Sequence, residues 1–264
     1  MNLQLFWHKT LRRPYRLHVS DSGGAKPVVV LLHGIAASGE DWQPLVAVLS
    51  ARYRCITIDL VGFGKSPKPQ WYAYQPEDHL RCLRATLRRL HIRRYILVGH
   101  SLGSLLATRY ARQHHRSLRR LVLLSPPVYP PLPSILSRPA RYQTNLFLHI
   151  YKILRSHPRM TPTNFRRLSR VLPLPKSVIT HPETWIPFRR TLERCIETQT
   201  IGEDIVDIPL PIDIFYGTLD QVVVAANVEG LAKLHDVTIH TMHVNHSLGK
   251  RYQNTVATFL LSLA

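Results

Sequence analysis

The chain has 264 residues and carries 35 Lys and Arg against 16 Asp and Glu, a formal charge of +19. That length can bury a full core, and 45% hydrophobic with 19% charged residues excludes a disordered chain. The excess charge is regional: residues 79–182 contain 20 Lys and Arg and no acid, while the remainder holds 15 basic and 16 acidic residues.

Tyr15 to Val19 reads as a strand, followed by a turn at Asp21-Ser22-Gly23-Gly24. Val28-Val29-Val30-Leu31-Leu32 is a continuous aliphatic run led by three β-branched valines, the pattern of a strand covered on both faces. Trp42 to Leu49 has helical spacing, and Arg54 to Ile58 is the next strand. Pro76-Glu77-Asp78 opens a helix with acids in its first turn, where they suit the helix dipole. Tyr95 to Val98 is a strand, Leu105 to Arg112 a helix, and Leu121 to Leu124 another strand. The alternation then breaks into a Pro- and Arg-rich section with helical patches at Leu146–Leu154 and Phe188–Ile196. It resumes with strand Ile212–Tyr216, helix Val223–Leu234, strand Val237–Met242 and helix Leu248–Leu261. The rhythm predicts an α/β fold: a mostly parallel sheet with helices on both faces. Its core comprises residues 1–125 and 206–264, with 126–205 inserted between two strands.

Charge alone does not imply nucleic acid. Of the basic residues 27 are Arg and 8 Lys, and there is no zinc-finger spacing, RNP-like aromatic motif or heptad repeat behind a basic region. No specific nucleic-acid partner is therefore expected, although a basic face is compatible with weak contact to an anionic membrane surface. The three cysteines, Cys55, Cys82 and Cys195, are odd in number and far apart, which speaks against a disulfide framework and for a reducing compartment. The apolar run near Met1 is too short for a signal peptide, and no stretch reaches the length of a membrane span, so the expected location is the cytoplasm.

The motif that carries chemistry is Gly99-His100-Ser101-Leu102-Gly103, a G-x-S-x-G directly after one strand and before a helix. A Ser on such a sharp turn presents its hydroxyl at the carboxyl end of the sheet, and the helix N-terminus favours developing negative charge there. A serine nucleophile needs a base to take its proton and an acid to orient that base. Asp220 follows the strand Ile212–Tyr216 in a Gly217-Thr218-Leu219-Asp220 turn, whereas Asp213 lies inside that strand and Asp207 before it. The equivalent position after Leu121–Leu124 is Ser125. His246 lies between the last strand and the last helix, with His240 and His243 within or at the edge of the strand.

With these residues the chain resembles the α/β-hydrolase family over nearly its whole length. The strand Val28–Leu32 followed by His33-Gly34, and the loop Asp59-Leu60-Val61-Gly62-Phe63-Gly64-Lys65-Ser66, match family patterns. The resemblance implies Ser101 as nucleophile, His246 as base and Asp220 as acid, with His243 the alternative base. The backbone N–H groups of Ile35 and Leu102 would form the oxyanion hole, and His33 and Asp59 would be structural. One departure is Asn245, where many members have Gly before the catalytic His; Asn tolerates left-handed backbone. Relatives resembling haloalkane dehalogenases and epoxide hydrolases carry Asp at the elbow, so Ser101 favours acyl chemistry. The expectation is a carboxylic-ester hydrolase with no metal or organic cofactor, acting on a small ester or acyl substrate through residues 126–205 as a lid. Arg-rich composition there favours anionic substrates, with Arg189, Arg190 and Trp185 as candidate contacts. The alternatives are a carbon–carbon bond hydrolase of ring-cleavage products, disfavoured because Ser247 and not Trp follows His246, and a non-catalytic receptor or scaffold on the same fold.

Overall fold

The computed structural model describes residues 6–11, 13–131, 134–135, 137–156 and 182–263. Residues 157–181 of the expected insertion, and the first five residues of the N-terminal run, lie outside them. Seven strands form one sheet: β1 (Val19–Asp21), β2 (Val28–Leu32), β3 (Arg54–Ile58), β4 (Tyr95–His100), β5 (Leu118–Leu124), β6 (Ile212–Gly217) and β7 (Val237–Met242). Their spatial order is β1-β3-β2-β4-β5-β6-β7, and every pair is parallel except β1 with β3.

The first strand departs from the sequence expectation. Residues 15–18 belong to no strand and are held by side chains and a loop: Leu17 N donates to Thr86 Oγ1, His18 N to Ser66 Oγ, and His18 O accepts from Asp59 N. Ladder pairing with β3 begins only at Val19, and Asp21 both closes the strand and opens the turn, its Oδ1 accepting from Gly23 N (2.9 Å). Gly23 and Gly24, at φ 72° and 90°, make the reversal.

Strand β2 shows why the sheet needs cover on both sides. Val29 and Leu31 join one apolar cluster with Trp42, Leu45, Val98, Phe215 and Val256. Val30 and Leu32 join the other, with Leu83, Leu97, Leu106, Leu121 and Ile214. The first cluster is roofed by α1 (Gln43–Leu49), which follows a 3₁₀ turn at Gly39–Trp42, and by α8 (Lys250–Ser262). The second is roofed by α2 (Pro76–Arg89) and α3 (Leu102–His114). At the start of α2, Asp78 accepts a hydrogen bond from Gln75 N, satisfying an otherwise orphaned donor.

Between β5 and β6 the chain forms α4 (Arg138–Ser156), α5 (Trp185–Thr191), a π-helical turn at Leu192–Ile196 and α6 (Ile201–Asp204). After β6 the expected single helix is divided into α7 (Ala225–Glu229) and a 3₁₀ turn at Gly230–Lys233. The three cysteines are buried and free. Among the described residues no helix is long and apolar enough to cross a membrane.

Candidate active site

Strand β4 ends at His100 and α3 begins at Leu102, so Ser101 alone makes the turn. Its backbone sits at φ 51°, ψ −115°, a strained conformation for a residue with a side chain. The flanking glycines are required by space. A Cβ on Gly99 would lie 2.3 Å from the Gly103 carbonyl oxygen, and one on Gly103 would lie 2.3 Å from that of Leu32. The pentapeptide pattern is thus the packing of a helix N-terminus hard against two strands. Ser101 N donates to Leu124 O (2.9 Å), and Ser104 Oγ donates to Gly99 O (2.7 Å), pinning the turn.

Three residues distant in sequence meet at this turn. His246 Nε2 lies 3.1 Å from Ser101 Oγ, and its Nδ1 lies 2.8 Å and 3.0 Å from Asp220 Oδ2 and Oδ1. The Asp220 carboxyl is wholly buried, whereas about a quarter of the His246 side chain (26%) meets solvent. Oδ1 of Asp220 also accepts from Val222 N (2.8 Å) and Val223 N (3.1 Å). Burial alone would raise the Asp220 pKa; the bond to and charge of His246, the Ser125 hydroxyl and the Val222 N–H outweigh it and hold the carboxyl below its ordinary range. A carboxylate there fixes the Nδ1–H tautomer of His246, leaving Nε2 as the acceptor facing Ser101.

The remaining histidines and acids have other employment. His243 is exposed and meets Thr218 Oγ1 at 3.2 Å, away from Ser101. Asp213 is buried within β6 and pairs with Arg120 and His240. Asn245 takes no positive φ; its side chain accepts from Ser247 N (3.1 Å), an Asx turn that does the work expected of a left-handed residue.

His33 and Asp59 are scaffolding. The His33 ring spans Gly34 O (2.7 Å from Nδ1) and Leu60 N (2.9 Å from Nε2), so it donates through Nδ1 and accepts through Nε2. Asp59 accepts from Gly39 N and Lys65 N and pairs with His18. The segment they rigidify runs beside Ser101: a Cβ on Gly34 would come within 3.3 Å of Ser101 Cβ. Ile35 follows on this segment, and Leu102 is the first residue of α3, whose N–H has no acceptor within the helix.

Five residues outside the candidate set join the site: His100, Ser125, Tyr252, Tyr129 and Tyr151. His100 donates through Nε2 to the His246 carbonyl (2.9 Å), and burial foremost pushes its pKa down to about 3, so it stays neutral. Ser125, at φ 46°, bonds Tyr252 Oη (3.0 Å), which donates onward to Phe215 O (2.9 Å). Tyr129 Oη donates to Val222 O (2.6 Å) and meets Tyr151 Oη on α4 at 3.1 Å. His100 had a sequence signal, as the second residue of the pentapeptide, and Ser125 one only as the occupant of the alternative acid position. The others are single polar residues at apolar segments whose partners lie between 22 and 127 residues away.

The insertion candidates occupy a different place. Arg190 Nη1 donates to the carbonyls of Gln70 (2.6 Å) and Tyr72 (2.7 Å). The Arg189 guanidinium lies 6.0 Å from the Trp185 ring centroid, and Trp185 stacks on Phe188. Arg189 and Arg190 line a recess of about 280 Å³ together with Arg155, Ile186, Glu193 and Arg194. Among the described residues no group of three or more His, Cys, Asp or Glu side chains could hold a metal ion.

Comparison with known proteins gives the following. A family model described as alpha/beta hydrolase fold matches residues 27–162. The Arabidopsis thaliana protein named Probable lysophospholipase BODYGUARD 3 is 34% identical over 123 residues, a match covering 45% of this chain and 24% of that protein's length. The enol-lactonase from Burkholderia xenovorans superposes with a TM-score of 0.69 at 20% identity, covering 93% of this chain and 95% of that one. The ancestral haloalkane dehalogenase AncHLD2 does so with a TM-score of 0.72 at 21% identity, covering 94% of each.

Proposed function

The chain belongs to the α/β-hydrolase fold family, and on that premise we propose that it is a serine hydrolase cleaving a carboxylic ester or related acyl bond. The observation that carries this reading is the continuous relay from Asp220 through His246 to Ser101, with contacts of 2.8 Å and 3.1 Å. Ser101 Oγ attacks the acyl carbonyl as His246 Nε2 takes its proton, and Asp220 stabilises the imidazolium. The N–H groups of Ile35 and Leu102 receive the oxyanion, each contributing about 3–4 kcal/mol to the transition state. His246 then protonates the departing alkoxide, which leaves an acyl group on Ser101. Water, deprotonated by His246, attacks that acyl group, and Ser101 leaves with the returned proton. Nothing in this cycle requires a metal or organic cofactor.

The name of the Arabidopsis relative points to ester chemistry. Ser101 separates the chain from the dehalogenase among its structural neighbours, because halide displacement in the family's dehalogenases uses an elbow carboxylate. The segment 126–205 is the proposed lid; in support, Pro187 of α5 bears on Gly62, where an added Cβ would sit 2.7 Å from Pro187 Cβ. An anionic substrate is not favoured by the recess of the insertion, because none of the residues lining it belongs to the relay and Glu193 pairs with Arg155 within it. The decisive experiment is turnover of p-nitrophenyl acetate and butyrate, with labelling by a fluorophosphonate probe. Both should vanish in Ser101→Ala; persistence of either would remove Ser101 as nucleophile, and absence of both in the wild type would favour a scaffold.

A further inference from the structure

We propose that the end of the molecule opposite Ser101 is a docking surface for an anionic lipid bilayer. Parallel pairing fixes the geometry. Strands β2 to β5 start together, in the registers Val28↔Arg54, Val29↔Ile96 and Tyr95↔Leu118. Residues just before these starts therefore share one end of the sheet, and the residues after the strands (Ser101, Asp220, His246) share the other. Strand β4 spans six residues, which sets the two ends about 20 Å apart.

The starting end is densely cationic. Lys26, Arg52, Arg93, Arg94 and Arg116 precede β2, β3, β4 and β5, Arg119 is the second residue of β5, and all six are exposed. Lys26 Nζ donates to Ser50 O, which brings the β2 and α1 ends together. Arg119 lies near enough to Tyr53, next to Arg52, for its charge to act on that phenol. Arg88 and Arg89, also exposed, close the last turn of α2 at this end; those two are accounted for by the helix dipole, but the six are not. Among the described residues no acid pairs with any of the six. The acids at the starting end are committed: Asp21, beside the start of β3, to Arg54, and toward β6 and β7 Asp207 to Arg112 and Asp236 to His235.

The occupant follows from what accompanies the charge. A polynucleotide surface would be expected to offer rings for base stacking, and the side chains among the six are guanidinium and ammonium groups. Exposed apolar side chains do lie at this end: Val48 near the end of α1 and Leu263 just past α8. Arginines with a little apolar surface suit a bilayer rich in anionic headgroups, where each basic residue adds about fivefold to partitioning. At a separation of about 20 Å these charges are screened from Ser101 at ordinary salt, so docking leaves the site free to turn over.

The test is co-sedimentation with phosphatidylserine–phosphatidylcholine vesicles and with phosphatidylcholine vesicles, at low salt and at about 0.5 M salt. The wild type should bind the anionic vesicles only, and salt should release it. R93Q/R94Q/R116Q/R119Q should lower that partitioning on the order of a hundredfold or more, with hydrolysis of a soluble ester and Tm unchanged. A control removing equal charge elsewhere, R16Q/R138Q/K250Q/R251Q, should lose far less. If the quadruple variant fails to fold, R93Q/R94Q and R116Q/R119Q are compared separately, each with a loss on the order of tenfold or more. Binding equal to both vesicle types, equal loss in control and test variants, or binding to poly(U) or duplex DNA without vesicle binding would each overturn the proposal.

Discussion

Replacing Asp220 by Asn tests the relay without changing its shape. Oδ1 of Asp220 accepts from two backbone N–H groups, at 2.8 Å and 3.1 Å, while Oδ2 makes the shorter contact with His246 Nδ1. An Asn side chain keeps its carbonyl oxygen toward Val222 and Val223, since an amide NH₂ there would face two donors. Its NH₂ group then occupies the Oδ2 position and donates to His246 Nδ1. That forces the imidazole proton onto Nε2, where it points at Ser101 Oγ, and the base has no lone pair to accept with. The expected loss is about 10⁴ in kcat, or about 5.4 kcal/mol at about 1.36 kcal/mol per tenfold. KM for p-nitrophenyl butyrate should change little, because no substrate contact is altered, and fluorophosphonate labelling should slow in parallel. Pre-steady-state mixing separates acylation from deacylation; both steps should slow, since His246 serves each. A folded Asp220→Asn protein that kept a tenth or more of wild-type kcat would refute the argument.

The same geometry makes further predictions. Gly103→Ala places a Cβ 2.3 Å from the Leu32 carbonyl oxygen, a backbone clash that should lower stability by at least about 3 kcal/mol, read as a drop in Tm or loss of soluble protein. Tyr129→Phe removes the donor to Val222 O and should cost about 1–3 kcal/mol with a several-fold fall in kcat in urea-folding and steady-state assays; unchanged kcat would detach the loop from the chemistry. The folded pKa of Asp220 is below its unfolded value, so its contribution to stability is full above the ordinary carboxylate range and is lost as pH falls through the lowered folded value. Tm of the wild type should therefore fall more steeply than that of Asp220→Asn across that acid window, and parallel curves would count against the ionised pair.

The sheet was legible in the sequence because a strand covered on both faces writes itself as an unbroken apolar run, as Val28–Leu32 does, and because β-branched residues mark Arg54–Ile58 and the less buried edge strand Val237–Met242; all three have the bounds their composition implies. The first strand was not, because Tyr15 to His18 has strand-like residues but finds Thr86 and Ser66 as partners in place of a ladder. Ser101 could be read because sterics leave a local trace, two glycines at fixed offsets. His246 and Asp220 could be located by position only, after β7 and after β6. Ser125 was legible only as the occupant of the alternative acid position, and Tyr129 and Tyr252 left no trace, since a tyrosine at the edge of a core is indistinguishable in sequence from one that donates a hydrogen bond across it.

Those residues explain why the acid sits after β6. Ser125 occupies the corresponding point after β5, with Ser125 N bonded to Phe215 O (2.7 Å) and its hydroxyl on Tyr252. Tyr252 in turn donates to Phe215 O, so the ends of β5 and β6 are laced together under the Asp220 carboxyl. A second carboxylate at position 125 would face Asp220 in a buried setting and raise the pKa of one of the two, whereas a neutral hydroxyl brings no second charge. On the other side Tyr129 ties Val222, two residues past the acid, to Tyr151 on α4. The turn that carries the carboxylate is thus braced from the insertion by Tyr151 through Tyr129, while Ser125 and Tyr252 lock the strand ends beneath it. A displacement of α4 has a path of three hydrogen-bonded groups to the one that sets the tautomer of His246.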